Sequence, residues 1–239
     1  MILAFETSGT IGSVALCEGE TVRGSRSFDT QQEAVRRLPL AVQELRRAAQ
    51  GPVQGLAVSR GPGSFNGLRV GIALAKAMAH AWRTPVAGIP TPVVWAAESA
   101  ARFPGHAVAV LQPSRREHVY LTIVAGGKWR VAKEEERPEM LRGPEVVEIA
   151  DLGSALAEAA AGSGPLVLTG DWAELEGWAE GRMGILVDVE RAVSPSAVTV
   201  ARLAGSRLAR CAEDSYYTLR PEYVSPSQAE RNWGVNLGL

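Results

Sequence analysis

The sequence predicts an α/β protein whose strands and helices are arranged in two lobes. Three observations carry that expectation. Short apolar runs of strand length, such as ILAF at 2–5, SVALC at 13–17 and VQGLAVS at 53–59, alternate with longer stretches rich in helix formers. The first hundred residues thereby read β-β-β-α-β-α-β-α. Past Pro104-Gly105 a second series of strands and helices begins and repeats that order loosely. At 239 residues the chain is long enough for two lobes with a core each. The expected division is a first lobe over 1–103, a smaller second lobe over 104–212, and an extended tail over 213–239 that packs back on the lobes.

Taken in order, residues 2–5 form an apolar strand closed by Glu6-Thr7-Ser8-Gly9, and residues 13–17 form a second. Residues 20–28 alternate loosely as a third, and the short connections make the three antiparallel neighbours. Residues 32–49 read as an amphipathic helix with Ala34, Val35, Leu38, Ala41, Val42, Leu45, Ala48 and Ala49 on its apolar face. Pro39 either kinks that helix or marks its true start, and Gly51-Pro52 ends it.

The chain is organised around SRGPGSFNGLR at 59–69, which joins the strand at 53–59 to a helix over 68–82. The join carries Gly61, Gly63 and Gly67, with Ser64 and Asn66 as candidate N-caps. A strand, a glycine-rich turn and a helix N-terminus together suggest an anion site at Gly61, Gly63 and Ser64. A tight turn with no ligand accounts for the same residues. The spacing is not that of a P-loop, no lysine stands where a P-loop needs one, and Pro62 removes a donor.

Around the helix, Arg69, Lys76, His80 and Arg83 fall on one stripe and nearly everything else is apolar or small. A helix lying on one sheet buries about a third of its circumference, so this one needs a second or third neighbour. Leu68, Ile72 and Ala79 make one flank; Val70, Ala73 and Ala77 make the other; Gly71, Leu74, Met78 and Trp82 form the back, expected to face the sheet. One flank is expected against the helix at 32–49 and the other open for a partner.

The remaining elements are weaker. Residues 85–89 read as a strand and 92–102 as a helix. Residues 106–111 and 118–125 read as strands, and Gly126-Gly127 turns into a further one at 128–133. The charged run 134–137 reads as a loop, 146–149 as a brief strand, and 152–161 as an alanine-rich helix capped by Asp151. Strands at 166–169 and 185–187 flank a weak helix near 173–179, and a last helix over 197–211 is capped by Ser194 or Ser196.

A net charge of −1 argues against unaided binding of a nucleic acid backbone. Cys17 and Cys211 lie far apart without metal spacing and read as free buried thiols of a reducing compartment. No secretory pattern and no run of membrane-spanning length is present, so the expectation is a soluble, cytoplasmic protein.

ILAFET at 2–7, the GPGSFNGLRVG block at 61–71, PVAGIPT at 85–91 and YTLR at 217–220 resemble the TsaB (YeaZ) family. The resemblance covers most of the first hundred residues and thins in the second lobe. It implies the actin-like ATPase (ribonuclease H-like) fold, two lobes each with a mixed β-sheet and helices. It implies a non-catalytic scaffold for threonylcarbamoyl modification of adenosine 37 in tRNAs reading ANN codons. The partners implied are a TsaD-like protein, a TsaE-like ATPase through the complex, tRNA only through the complex, and a second copy of the chain through the same helices. The glycine block is shared in looser form with TsaD itself. TsaD-like catalysts resemble metal enzymes with an H-x-x-x-H pair, whereas this chain has three histidines and no such pair. The family's docking helices correspond here to Val35, Leu38, Val42 and Leu45 with Leu68, Arg69, Ile72, Ala73, Lys76, Ala77 and His80. No catalytic residue, metal or cofactor is expected, beyond weak ATP or ADP binding at a complex interface.

Three departures fall where a nucleotide would touch. Glu6 stands in place of the family's usual Asp, Asn66 in place of Thr, and Pro113 where many relatives carry an acid. The rival reading is a small ATP-dependent enzyme of the same fold, with Thr7, Ser8 and Gly9 as phosphate turn and Glu6 as metal carboxylate. Glu6 as an internal acceptor for the N–H groups of its own turn is the structural alternative. A glycoprotease would need a metal pair or an activated nucleophile, and Ser64 has no histidine near it in sequence.

Overall fold

Two five-stranded mixed sheets form the frame of the protein, and they share one topology. The computed structural model of the chain describes residues 1–127, 138–180, 186–187, 195–209 and 214–224. The first sheet contains β1 (Ile2–Glu6), β2 (Ile11–Glu18), β3 (Thr21–Asp29), β4 (Gly55–Gly61) and β5 (Val86–Pro90), in the order β3-β2-β1-β4-β5. β1, β2 and β3 are antiparallel neighbours, while β4 runs parallel to both β1 and β5. The second contains β6 (Ala107–Pro113), β7 (His118–Val124), β8 (Met140–Glu148), β9 (Leu166–Thr169) and β10 (Leu186–Val187), in the order β8-β7-β6-β9-β10. Its pairings repeat those of the first strand for strand, antiparallel on the β7 side and parallel on the β9 side. The loose repetition seen in sequence is thus a full repetition of sheet topology.

The strands of the first sheet alternate large and small side chains, and this decides what lies on each face. Leu3, Phe5, Val14, Leu16, Leu56 and Val58 point to one side, where they meet α1 (Thr30–Ala48) and α2 (Phe65–Trp82). Ala4, Ala15, Cys17, Ala57 and Ala87 point to the other, against α6 (Ala197–Ala209) and Val94 of α3 (Thr91–Ala100). Alanines on both surfaces, with Ala197, Ala201 and Ala204 from the helix, let α6 approach its sheet closely. So α6 follows the second sheet in sequence and covers the first in space. On the second sheet Leu111, Leu121, Ile123 and Leu168 pack with Leu152 and Leu156 of α4 (Leu152–Ser163) and Leu175 of α5 (Leu175–Ala179).

Several elements differ from their sequence expectation. α1 begins at Thr30 and continues through Pro39, which neither starts nor ends it. Val35, read as part of its apolar face, is 72% exposed, and Ala48 is exposed too. β8 spans nine residues where a brief strand was expected, and it is an edge strand that accommodates Pro144. Asp151 stands at the N-cap of α4 without a side-chain capping bond. At α6 the Thr199 N–H donates to Ser196 Oγ (3.2 Å), which makes Ser196 the cap. The strand expected at 128–133, the loop at 134–137, Ile185, Ser194, Cys211 and the tail beyond 224 lie outside the described residues.

Candidate functional site

Two parallel neighbours, β1 and β4, end side by side, and each feeds one of the turns singled out in the sequence. After β1, Glu6 is fully buried. Its Oε1 accepts the Ser8 N–H at 2.6 Å and also the Ser8 hydroxyl, while Oε2 has no hydrogen-bond partner among the described residues. Burial pushes its carboxyl up to about 7, against the lowering effect of the Ser8 bonds. After β4, the Ser64 N–H donates to the Ser8 carbonyl oxygen at 2.7 Å, and Ser64 Oγ accepts the Gly67 N–H at 3.2 Å as the N-cap of α2. The two turns are therefore stitched to each other, and the named N–H groups point at the chain's own acceptors.

The glycines of the block answer to the same stitching. A Cβ on Gly63 would stand 2.5 Å from the Ser8 carbonyl oxygen. One on Gly67 would overlap the Thr7 carbonyl oxygen, and one on Gly71 would overlap Thr7 Oγ1. Gly61 has a φ of 112°, and a Cβ there would lie 2.8 Å from the backbone oxygen of Glu222. Each of the four lets another part of the chain come close. The two candidate turns, Glu6 to Gly9 and Gly61, Gly63 and Ser64, thus lie against each other, and the carboxyl of Glu6 occupies the Ser8 donors of the first.

Residues from distant segments complete the surroundings, and no local signal in the sequence pointed to them. Gln112, almost fully buried at the end of β6, donates from Nε2 to the Pro62 carbonyl oxygen at 3.0 Å. Asp171, just after β9, faces Gly9, where a Cβ would lie 3.7 Å from its Oδ2. Desolvation pushes the Asp171 carboxyl up to about 6. Glu98 of α3 accepts the Ser196 N–H (2.9 Å) and hydroxyl (2.8 Å), and burial raises its pKa as well. Among the described residues no group of three or more His, Cys, Asp or Glu side chains is arranged to hold a metal ion.

The second candidate surface is the helix pair. On α2 the flank Leu68, Ile72 and Ala79 is buried, as are Ala75, Gly71 and Met78. The flank Ala73 and Ala77 is exposed, with Val70 half-buried beside it. Trp82, expected to face the sheet, is 38% exposed, and the Arg46 guanidinium lies 5.2 Å from its ring centroid. Leu74 is only partly buried. Of the partner-facing candidates, Leu38, Val42, Leu45, Leu68 and Ile72 belong to the chain's own core. Val35, Arg69, Ala73, Ala77 and His80 are exposed, and Lys76 is half-buried.

The polar stripe of α2 has a neighbour that its own composition does not reveal. The segment 214–224 runs along β5 and then along that stripe. Asp214 Oδ2 accepts the Gly88 N–H at 2.7 Å and the Asp214 N–H donates to the Val86 carbonyl oxygen at 2.8 Å. Lys76 Nζ donates to the Leu219 carbonyl oxygen and Arg69 Nε to the Tyr223 hydroxyl, both at 3.2 Å. The His80 and Tyr216 rings lie 5.1 Å apart. The Glu222 N–H reaches the Arg60 carbonyl oxygen at 2.6 Å. Arg69, Lys76 and His80, counted in the sequence among the partner-facing candidates, are the rail on which this segment is fastened.

A family model described as TsaD, tRNA N6-adenosine threonylcarbamoyltransferase, matches residues 29–158. The tRNA threonylcarbamoyladenosine biosynthesis protein TsaB of Escherichia coli (strain K12) is 34% identical over 92 residues, which are 38% of this chain and 40% of that protein. The match therefore spans less than half the length of the curated relative. Among solved structures, an uncharacterized protein with similarity to peptidase YeaZ from Pseudomonas aeruginosa gives a TM-score of 0.75 at 22% identity, over 94% of this chain and 99% of that one. YeaZ from Pseudomonas aeruginosa gives 0.72 at 21% identity, over 93% and 98%. These two likenesses bear on the fold alone, which this chain shares with the two YeaZ structures. Among the described residues no helix is long and apolar enough to cross a membrane.

Proposed function

We propose a function from one premise: the chain belongs to the threonylcarbamoyltransferase family matched by its residues 29–158, and within it to the TsaB (YeaZ) type. It acts in tRNA threonylcarbamoyladenosine biosynthesis as the subunit that binds a TsaD-type protein, and it does so without carrying the catalytic groups. A TsaE-type ATPase and tRNA meet it through that complex. The observation that carries this reading is the open flank of α2. Ala73 and Ala77, with Val70 beside them and Val35 on the neighbouring α1, present small and apolar side chains outward on a helix whose other sides are engaged. Such a surface suits close helix-on-helix docking, and it offers the same contact to a second copy of the chain.

The rival reading, an ATP-dependent enzyme with a phosphate turn at Glu6–Gly9, finds less support. The Ser8 and Ser64 N–H groups that would hold phosphate donate to Glu6 and to Ser8 instead.

Binding of the full-length chain to the purified TsaD-type protein of the same organism tests the proposal. Ala77→Arg is expected to abolish association while the melting temperature stays near that of wild type. If Ala77→Arg and Val35→Arg both bind like wild type, the helix pair is not the interface. Phosphate release from ATP by the chain alone, lost on Glu6→Ala, would favour the enzyme reading.

A further inference from the structure

We propose that Phe65, Arg69 and Tyr223 form a preset binding site for a carboxylate side chain of the TsaD-type partner, at the N-terminal end of α2; this rests on the reading that α2 faces such a partner. Tyr223 stands 154 residues beyond Arg69 in sequence. The Arg69 guanidinium carbon lies 3.9 Å from the centroid of the Phe65 ring, and its Nε donates to the Tyr223 hydroxyl at 3.2 Å. The two rings are 5.2 Å apart at 37°. Phe65 is 38% exposed and Arg69 is exposed.

Two independent contacts therefore hold one exposed guanidinium in place. The Phe65 ring supports one side of it, and the Nε bond to Tyr223 restricts its rotation. Among the described residues Arg69 has no ion-pair partner; the neighbouring acid, Glu222, pairs with Arg60 at 3.4 Å. That leaves the two Nη groups with the fork geometry that matches a carboxylate in bidentate fashion. An arginine already held by its neighbours loses little freedom on binding. Arginine beside an exposed Phe and a half-buried Tyr is also the composition in which binding energy concentrates at protein interfaces.

Continuity and charge point to a protein partner. The open flank adjoins Arg69: Val70 follows it directly, and Ala73 and Ala77 lie about one and two helical turns further on. An RNA phosphate track would need further free cations along it. Two of the neighbouring ones are engaged, Lys76 with the Leu219 carbonyl oxygen and Arg60 with Glu222, which leaves Arg220, exposed beside Leu219, too little for a track.

The test is calorimetric titration of the full-length chain with the purified TsaD-type protein of the same organism, using Arg69→Lys, Tyr223→Phe and Ala77→Arg, with melting temperatures to confirm folding. Arg69→Lys keeps the charge and loses the fork and the stack; it is expected to weaken binding by about tenfold or more. Tyr223→Phe removes only the hydroxyl that orients Arg69, and an effect of about threefold is expected. One Asp or Glu of the partner, replaced by Ala, should then prove non-additive with Arg69→Lys. If Arg69→Lys binds within about twofold of wild type while Ala77→Arg has lost binding, the carboxylate site is wrong and the docking reading stands. If wild type itself does not bind, the docking reading fails and this site with it. If Arg69→Lys leaves partner affinity unchanged and weakens tRNA binding by the complex, the cluster contacts phosphate and the carboxylate assignment is overturned. Loss of self-association alone would overturn it in favour of a second copy of the chain.

Discussion

Leu219 rests directly on Gly88: a Cβ on that glycine would come within 2.7 Å of the leucine's Cδ1. Leu219 is 3% exposed and joins the core formed by the first sheet with α1 and α2. On either side of it, Asp214 holds the Gly88 N–H and Lys76 holds the Leu219 carbonyl oxygen. Arg207 binds both Asp214 and the Gly88 carbonyl oxygen. A side chain from the last tenth of the described chain thus fills a site that only a glycine leaves open.

Leu219→Ala should accordingly destabilise the protein by about 2–4 kcal/mol, the range for truncating a buried leucine. Urea unfolding at equilibrium measures this. A cost below about 0.5 kcal/mol, the level of an ordinary surface change, would mean that the segment contributes little to the first lobe.

Glu6 should make stability depend on pH in the direction opposite to a salt-bridged acid. Burial raises its carboxyl from 4.5 to about 7, so between those values the folded chain binds a proton that the unfolded chain has released. Stability from this group is fully present below the lower value and falls as pH rises through the upper one. Glu6→Gln removes the titration and keeps an oxygen to accept from Ser8. Its stability relative to wild type should increase by about 2–3 kcal/mol between pH 5 and pH 8. A difference that stays flat over that window would show that Glu6 does not titrate there.

The two flanks of α2 should respond oppositely to charge. Ile72 is 3% exposed within the core, so Ile72→Arg leaves a buried charge without a partner and should cost about 3–5 kcal/mol or prevent folding. Ala77 is exposed, and Ala77→Arg should stay within about 0.5 kcal/mol of wild type. Thermal unfolding of the two variants side by side distinguishes them.

The parts of this architecture that sequence made legible are those fixed by near neighbours. The apolar runs of β1, β2 and β4 are strands, the proline-free run after the glycine block is a helix, and Ser64 caps it. The division of α2 into a buried and an open flank also follows from its periodicity. What escaped depends on distant chain. Arg69, Lys76 and His80 have the composition of a solvated stripe, and only the fold brings residues 214–224 onto it. Trp82 and Val35 are apolar but stand at the margin of the helix pair, where periodicity alone overstates burial. β8 is an edge strand with many half-exposed residues, so its pattern carried little signal. Gln112 and Asp171 reach the turns from another sheet, a relationship no spacing encodes.

The return of α6 and residues 214–224 to the first sheet has a consequence for synthesis. A ribosome delivers β1, β2 and β4 early, yet the helix that covers their alanine face is translated only after the whole second sheet. Until then that face, apart from the part that Val94 of α3 covers, and the β5 edge stay bare in the nascent chain, and a bare apolar face with a free edge is where intermolecular pairing starts. The first lobe is begun first and closed last, so truncated or stalled products of this chain should be poorly soluble even when they contain every strand of the first sheet.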